Sequence, residues 1–304
     1  MAQHILITGA SGLIGKRLTR LLLDKGFRVS HLSQRMKKKN PVRTYLWDVR
    51  KQLIDKNCLD DVDCIVHLAG SSIAEKRWTD ERKRAITESR TQSIALLYSL
   101  MDQRPHQVRT IISASATGYY SDRGDEKMTE ESDPATDFLG RCCVAWENAV
   151  EEGRRFGCRI VKLRTGVVLD TEGGALKQMS LPVKLGIGSP LGSGQQWVPW
   201  IHYQDVINMY LFAIENARLD GVYNMVAPHP VTNAQLMHLI AQKLQKPWWA
   251  PNVPALLLRI LLGEMATVVL GSTKVSAEKI YLSGYEFAYY TPDDALDALY
   301  KRSE

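Results

Sequence analysis

The sequence lacks the cysteine patterns of disulfide-bonded and zinc-binding proteins. Its five cysteines are an odd number, and no two have the C-x-x-C spacing that is typical of zinc ligands and redox motifs. We therefore expect reduced thiols in a cytoplasmic protein, and no metal site.

The sequence also lacks an uninterrupted apolar run long enough to cross a membrane. Residues 253–271 have the required length, but Arg259 and Glu264 interrupt them. Each charge would cost about 2.5–3.5 kcal/mol at the centre of a bilayer. We expect a buried helix in a small C-terminal lobe, and no membrane partner. The N-terminus shows no basic region followed by an apolar run, so no secretory signal is expected.

A concentrated basic surface is missing as well, although the net charge is +6. The one dense basic run is residues 35–39, and the other basic residues are scattered. A nucleic-acid-binding protein would gather them on one element, so no nucleic-acid partner is expected. Hydrophobic residues make up 45% of the chain and charged residues 24%, which is ordinary for a folded globular protein.

What is present is an alternation of short apolar strands with helices. This order predicts an α/β fold, a doubly wound parallel Rossmann sheet with a smaller mixed C-terminal substrate lobe. Residues 1–172 are predicted to bind the cofactor and residues 173–304 to form the substrate lobe, with some segments returning to the sheet and 249–298 as a small C-terminal region. The predicted strands are His4–Thr8, Phe27–Ser33, Thr44–Trp47, Cys64–Leu68, Val108–Ala114 and Arg159–Leu163; the predicted helices include Leu13–Lys25, Thr79–Met101, Phe138–Phe156, Val206–Asn216 and Asn233–Leu244.

A glycine-rich loop joins the first strand to the first helix, with the spacing G-x-x-G-x-x-G. The first glycine permits a tight turn, the second admits a pyrophosphate to the backbone N–H groups, and the third allows close packing of helix and strand. The helix N-terminus adds partial positive charge. The loop therefore predicts a nicotinamide dinucleotide site, formed by Gly9, Ser11, Gly12, Leu13, Ile14 and Gly15.

No acidic residue stands at the end of the second predicted strand, where NAD enzymes usually bind the ribose 2′-hydroxyl. The sequence there has Ser33 and Arg35, with lysines at 37–39. A guanidinium can bind a 2′-phosphate through two N–H groups, whereas a carboxylate would repel it. The expected cofactor is NADP(H) rather than NAD. A solvated basic loop with no role in cofactor choice is the alternative.

Several phrases of the sequence together resemble the extended short-chain dehydrogenase/reductase superfamily. They include H-L-A-G at 67–70, S-A-S-A-T-G-Y-Y at 113–120, L-R-T-G-V-V-L at 163–169 and W-I-H-Y-Q-D at 200–205. With G-Y-E-F at 284–287, the chain is similar to the atypical NAD-dependent epimerase/dehydratase-like group that carries a small C-terminal domain of unknown function. The resemblance implies an NADP-binding Rossmann domain and nucleotide-sugar epimerases among the relatives. Further candidate cofactor residues are Asp48, Leu68, Ala69, Gly70, Arg77, Ser113, Thr165 and Val167.

The superfamily's catalytic side chains are a Ser or Thr that binds the substrate oxygen, a Tyr that transfers the proton, and a Lys four residues later. The lysine lowers the tyrosine pKa, which is near ~10 in the free phenol, and binds the nicotinamide ribose. Ser115 matches the first role. Aligning Glu147 with the trailing acid of Y-x-x-x-K-x-x-x-E places Leu139 and Cys143 at the Tyr and Lys positions. The usual dyad is therefore absent. Tyr119 or Tyr120 could substitute for the proton donor, with Tyr119 as the main candidate, and Arg141 could supply the missing charge.

Two hypotheses of different classes follow. The first is an NADP-dependent oxidoreductase or epimerase-like enzyme that acts on a small polar or sugar-like molecule. The second is a catalytically silent NADP(H)-binding sensor or regulatory protein. Retention of Ser115 favours the first hypothesis, and the missing dyad favours the second. A monomer or a homodimer is expected in either case.

Overall fold

A computed structural model describes residues 2–36 and 42–300. Its strands are β1 His4–Thr8, β2 Arg28–Ser33, β3 Arg43–Asp48, β4 Leu53–Ile54, β5 Cys64–His67, β6 Thr110–Ala116, β7 Lys127–Met128, β8 Arg159–Thr165, β9 Val167–Leu169, β10 Trp197–Val198, β11 Trp200–His202, β12 Gly221–Met225, β13 Val231–Thr232 and β14 Lys274–Val275. Its helices are α1 Leu13–Asp24, α2 Asp80–Gln103, α3 Phe138–Glu151, α4 Gly174–Lys184, α5 Tyr203–Glu215, α6 Asn233–Lys243, α7 Ala255–Leu262, α8 Ala266–Leu270, α9 Glu278–Leu282 and α10 Pro292–Tyr300.

The main sheet has eight strands in the order β12-β8-β6-β5-β1-β2-β3-β4. Its pairings are parallel except for the edge pair of β3 with β4. Strand β1 is buried along its whole length because helices cover both faces of the sheet. The prediction of a doubly wound parallel α/β fold is confirmed. The strand order reverses between β1 and β5, and the crevice at such a reversal is where open α/β sheets bind ligands.

Two hydrophobic cores lie on opposite faces of this sheet. Helices α1 and α5 pack together on one face, and α2 and α3 pack together on the other. The side chain of Thr79 caps the first turn of α2, and Asp137 caps α3 in the same way. These caps fix where both helices start, beside the carboxyl ends of the strands. They therefore position every side chain that the two helices direct toward the crevice.

The residues after β9 form a third core and also return to the main sheet through β12 and α5. Helices α4, α6 and α10 enclose the third core around Trp200. The buried Asp205 of α5 accepts hydrogen bonds from the Tyr285 hydroxyl at 3.0 Å and from the Ala288 N–H at 2.7 Å. The W-I-H-Y-Q-D and G-Y-E-F phrases therefore meet in space, and Asp205 fastens the C-terminal segment to α5.

The prediction of a buried helix over residues 253–271 is wrong. The segment forms two short helices, α7 and α8, and within α7 only Leu258 is buried. The exposed face of α7 carries Leu256, Leu257, Ile260 and Leu261. Apolar composition indicated burial, but the helix lies across the surface and presents one side to solvent. Among the described residues, no helix is long and apolar enough to span a membrane.

The five cysteines are all buried and unpaired. Nowhere in residues 2–36 and 42–300 do histidine, cysteine and carboxylate side chains form a cluster that would hold a metal ion.

Candidate functional site: a dinucleotide crevice beside β6 and α3

The glycine loop between β1 and α1 lies in the crevice at the reversal of strand order. Gly9 has a φ of +69°, and a Cβ there would come within 2.7 Å of the Leu68 carbonyl at the end of β5. A Cβ on Gly15 would come within 2.6 Å of the Ala10 Cα. Both positions need glycine, because the loop must pass close to β5 and to the first turn of α1.

The N-terminus of α1 is free to bind an anion. Its N-cap residue is Gly12, which has no side chain to bond the first N–H groups, and the first turn has no acidic residue. Those N–H groups have no partner within the helix. Residues 11–14 are exposed or partly exposed. The free N–H groups of this turn suit a pyrophosphate. The loop and the turn together contain the candidate residues Gly9, Ser11, Gly12, Leu13, Ile14 and Gly15.

The opposite wall of the crevice is residues 68–70, which a buried hydrogen-bond chain holds in place. The Thr8 hydroxyl accepts from the N–H groups of Leu68 and Ala69, each at 3.1 Å, and lies 3.0 Å from His67 Nδ1. His67 Nε2 lies 3.2 Å from the Ser93 hydroxyl. Burial lowers the pKa of His67 to about 4, so the ring is neutral at pH 7. Since Thr8 already accepts twice, its proton goes to Nδ1 and Nε2–H donates to Ser93.

Next to the glycine loop, the end of β2 presents Ser33 and Arg35. The Ser33 hydroxyl donates to the Arg35 carbonyl at 3.1 Å. The Arg35 guanidinium is exposed and forms no ion pair with a described residue. Asp48 accepts from two backbone N–H groups of the turn that follows β3, at 3.0 and 3.1 Å. The predicted lysines 37–39 lie outside the described residues.

The loop between β9 and α4 lies against the glycine loop. A Cβ on Gly173 would come within 3.5 Å of Leu13 Cδ1. Arg17 of α1 forms an ion pair with the buried Asp170, with 2.8 Å between Nε and Oδ2. The loop between β9 and α4 is thus fastened to α1.

Ser115 lies at the end of β6, where the resemblance puts the substrate-binding serine, but its hydroxyl is engaged elsewhere. It donates to Glu147 Oε1 at 2.6 Å, and Ser115 is only 3% exposed. Glu147 also forms a two-pronged ion pair with Arg164, with both N···O distances at 2.8 Å. Ser115 can donate to a substrate oxygen only by releasing Glu147.

The two tyrosines that follow β6 differ in their surroundings. Tyr120 is fully buried: its hydroxyl accepts from Arg164 at 2.9 Å and donates to Asn224 at 2.7 Å. Burial raises the pKa of Tyr120 to about 12, so it is not a proton donor to a ligand in the crevice. Tyr119 is partly exposed, and its ring lies 3.3 Å from the Arg164 guanidinium carbon. The guanidinium of Arg164, whose charge Glu147 balances, therefore lies over the ring of Tyr119.

Leu139 and Cys143 of α3 lie beside the end of β6, as their alignment with the missing dyad requires. A Cβ on Gly118 would come within 3.4 Å of Leu139 Cβ and 3.9 Å of Cys143 Sγ. The Cys143 thiol contacts the Ala116 carbonyl at 3.7 Å. Burial raises the pKa of Cys143 well above its usual range, so the thiol stays neutral. Neither side chain can transfer a proton or supply positive charge there.

The remaining candidate residues have partners of their own. The Ser113 hydroxyl donates to the Ala114 carbonyl at 2.9 Å, and Thr165 donates to the Leu163 carbonyl at 3.2 Å. Val167 begins β9 and pairs with β11. Arg77 is exposed and donates to the Ile260 carbonyl of α7 at 3.3 Å. The structure therefore places Arg77 where the C-terminal region meets the Rossmann lobe.

Sequence reasoning missed Arg90 and the pairing of Arg164 with Glu147. Arg90 lies on α2, beside Gly70 at the end of β5. The sequence pattern that could have indicated Arg90 is helical spacing. Arg90 stands four residues from each of two buried residues, Ile86 and Ile94, and so lies on the same face of the helix. A cation on the buried stripe of a helix requires a partner, and the sequence alone does not show which partner it has.

Comparisons with known proteins agree with this geometry. The model of the NAD dependent epimerase/dehydratase family matches residues 5–225, and a domain of unknown function, DUF1731, matches residues 253–299. The epimerase family protein SERP0438 of Staphylococcus epidermidis is 36% identical over 304 residues, covering 98% of this chain and 99% of that protein. The epimerase family protein SA0724 of Staphylococcus aureus is 36% identical over 302 residues, covering 98% of this chain and 99% of its own length.

Two solved structures are also similar over nearly the whole chain. The human epimerase family protein SDR39U1, solved with NADPH, has a TM-score of 0.86 and 28% identity, covering 98% of this chain and 99% of its own. A nucleoside-diphosphate sugar epimerase from Corynebacterium glutamicum has a TM-score of 0.80 and 31% identity, covering 99% of this chain and 59% of its own. The chain belongs to the NAD dependent epimerase/dehydratase family and carries a DUF1731 domain near its C-terminus.

Proposed function

We propose that this protein is an NADP(H)-dependent, epimerase-like oxidoreductase that acts on a small polar or sugar-like molecule. The main support is that the N-terminus of α1 has no side-chain cap and lies where the strand order of the sheet reverses. The exposed guanidinium of Arg35 lies nearby, just after β2. Residues 1–172 would hold the cofactor, and residues 173–304 would supply most of the substrate lobe. The human relative was solved with NADPH, which supports this choice of cofactor.

The residues present fit such a cofactor. The first N–H groups of α1 would bind the pyrophosphate, and Arg35 would bind the 2′-phosphate through two charge-assisted hydrogen bonds. When bound, NADP(H) supplies the hydride chemistry of the reaction. The second lobe, closed onto Leu13, would exclude water from that end of the crevice.

The experiment is calorimetric titration of the full chain with NADPH and with NADH. NADPH is expected to bind at least tenfold more tightly, which corresponds to about 1.4 kcal/mol. Equal affinities, or tighter binding of NADH, would overturn the assignment of NADP(H). Failure to bind either dinucleotide would overturn the proposed function as a whole.

A second candidate function is an NADP(H)-binding sensor without turnover. Two observations favour it: Leu139 and the neutral thiol of Cys143 occupy the dyad positions, and the Ser115 hydroxyl donates to Glu147. Tyr119 is the remaining candidate donor at this end of the crevice. If a substrate is found, we expect Ser115→Ala to cost more activity than Tyr119→Phe. The opposite order would make Tyr119 the proton donor.

A further inference from the structure

Arg90 is a guanidinium at the wall of the crevice with no counter-ion among the described residues. Its Nη1 donates to the Ile86 carbonyl at 2.8 Å and contacts the Ser89 hydroxyl at 3.5 Å. Its Nε and Nη2 groups donate to no described residue, and no described carboxylate forms an ion pair with it. By contrast, Arg82, two turns earlier on α2, contacts Glu75 at 3.4 Å. Arg90 thus has unused donors and an unbalanced charge.

The position of Arg90 is fixed from both sides. The N–H of Ser71 donates to the Ser89 hydroxyl at 2.9 Å, which holds the end of β5 against this turn of α2. A Cβ on Gly70 would come within 3.3 Å of Arg90 Cγ and Cζ. On the other side, the guanidinium carbon lies 5.0 Å from the centre of the Trp146 ring of α3. The guanidinium therefore lies between the end of β5 and α3.

The Arg90 side chain is partly buried, so its charge is less well solvated than at the surface and an anionic or strongly polar ligand would stabilise it. Burial lowers the pKa of Arg90, and the positive charge of the nearby Arg82 acts in the same direction. The neighbouring side chains of Cys142 and Cys143 are thiols, not carboxylates. A partly desolvated charge without a partner destabilises a folded protein. The fold keeps such a charge beside the position from which the lysine of the dyad is missing.

The order of strands in the sheet tells which part of a dinucleotide Arg90 can reach. Arg35 follows β2, the glycine loop follows β1, and Gly70 follows β5, in the spatial order β2-β1-β5-β6. A dinucleotide with its 2′-phosphate at Arg35 and its pyrophosphate at α1 therefore extends toward Gly70 and α3. Arg90 lies on that far side, opposite Arg35.

From this geometry, and resting on the proposed function, we infer that Arg90 binds the nicotinamide-side half of the dinucleotide. It replaces, from α2, the charge that a lysine at position 143 would supply from α3. Its free Nε and Nη2 groups donate to the ribose hydroxyls or to the adjoining phosphate. The cofactor in turn compensates the charge that the described residues of the crevice do not balance.

The test compares two ligands that share the adenosine half but differ in the nicotinamide half. The probes are NADPH and 2′,5′-ADP, titrated calorimetrically into the full chain, Arg90→Gln, Arg90→Met and the exposed control Arg84→Gln. We expect both Arg90 variants to bind NADPH at least tenfold more weakly and 2′,5′-ADP within twofold of the unmodified protein. Arg84→Gln should change neither affinity. Arg90→Met is included because an apolar side chain avoids a buried unsatisfied amide and so keeps the fold testable.

A rescue variant separates a binding role from a structural one. Arg90→Gln/Cys143→Lys returns a positive charge to the same place from α3, and it is expected to recover most of the lost NADPH affinity. Unchanged NADPH affinity in folded Arg90 variants would overturn the inference alone. So would equal losses for NADPH and 2′,5′-ADP, since that pattern indicates a general disturbance of the crevice. If the unmodified protein bound neither ligand, the proposed function itself would fail.

Discussion

The two ends of the crevice, at the glycine loop and at the end of β6, differ in which of their polar groups are free to contact a ligand. At the glycine loop, the groups that face a ligand are backbone N–H groups and one exposed guanidinium, and they have no competing partners among the described residues. At the end of β6, the groups expected to do chemistry are replaced by Leu139 and Cys143 or, like Ser115, bound within the protein. One end of the crevice thus offers groups suited to binding an anion, whereas the other end lacks the usual proton-transfer groups.

The difference shows that cofactor binding and catalysis need not change together. Pyrophosphate binding depends on the backbone conformation that the three glycines permit, and the β1–α1 packing maintains it. Proton transfer depends on two side chains of α3, and substitution there leaves the sheet intact. A chain can therefore keep a dinucleotide site while losing the usual acid and base. Variants can test each end separately, beginning with the largest expected effect.

The largest effect concerns turnover of nucleotide sugars. General acid–base help is worth about 10²–10⁴ in rate, and neither Leu139 nor the buried thiol of Cys143 can provide it. We expect NADPH- or NADP-loaded protein to convert UDP-glucose and UDP-N-acetylglucosamine at least about 10²-fold more slowly than an epimerase that retains the dyad. Product analysis by NMR measures this. Brisk epimerisation of either sugar would show that another group performs the proton transfer.

The next effect concerns the buried ion pair that holds Ser115. Glu147→Ala leaves the Arg164 guanidinium buried without its carboxylate, and removal of one partner of such a pair costs about 3–5 kcal/mol. Denaturant unfolding of the variant should show a loss of that size in the free energy of unfolding. The matched control is Lys127→Ala, which breaks an exposed pair with Glu278 and should cost less than about 1 kcal/mol. Equal losses in the two variants would mean that Glu147 does not stabilise the end of β6.

Gly12→Val tests the glycine loop. A branched side chain at the N-cap of α1 would block approach of a pyrophosphate to the first N–H groups, so NADPH affinity should fall at least about 100-fold, or about 2.7 kcal/mol. The fold should survive, because Gly12 is exposed. Arg20→Val introduces the same branched side chain at an exposed position later in α1 and should retain tight binding. Tight binding of NADPH by folded Gly12→Val would place the phosphates elsewhere.

The pH dependence of the free energy of unfolding tests whether the two buried histidines, His67 and His202, are neutral in the folded protein. Burial lowers the pKa of both His67 and His202 from 6.5 to about 4. Between these values the unfolded chain binds protons that the folded chain does not, so stability is lost as the pH falls from about 6.5 to about 4. Each histidine contributes up to about 1.4 kcal/mol per pH unit.

Unfolding of His202→Gln across this pH range measures that contribution, because the variant should show a shallower loss of stability. The exposed His229→Gln variant is the control and should follow the unmodified protein. A His202→Gln variant with the same pH dependence as the unmodified protein would show that folding does not shift the pKa of His202.

The smallest expected effect is the selectivity that Arg35 provides. Arg35→Ala should weaken NADPH about tenfold through loss of charge-assisted hydrogen bonds to the 2′-phosphate, while NADH affinity stays within twofold. Arg20→Ala removes a similarly exposed guanidinium from α1 and should leave both affinities unchanged. Parallel losses for the two dinucleotides in Arg35→Ala would assign the selectivity to other residues.

The sequence predicted the fold and the position of the glycine loop well because both depend on local patterns. Apolar strands such as His4–Thr8 and the glycine spacing after them are readable without knowledge of distant contacts. The same approach failed for residues 253–271, where apolar composition indicated burial and α7 exposes most of its leucines. An apolar composition favours burial of a segment. Whether the segment is buried depends on which other elements of the chain pack against it.

By itself, then, the sequence determined the doubly wound sheet, the glycine loop in the crevice and the absence of the Tyr and Lys of the dyad. Only the tertiary structure decided which partners the polar side chains have. It placed Glu147 between Ser115 and Arg164, which lie 32 and 17 residues away along the chain, and it set Arg90 beside Gly70 with no described carboxylate to pair with. The reason is physical: a charge in a folded protein acquires its role from the groups that share its low-dielectric surroundings, and these come from elements that are distant in sequence.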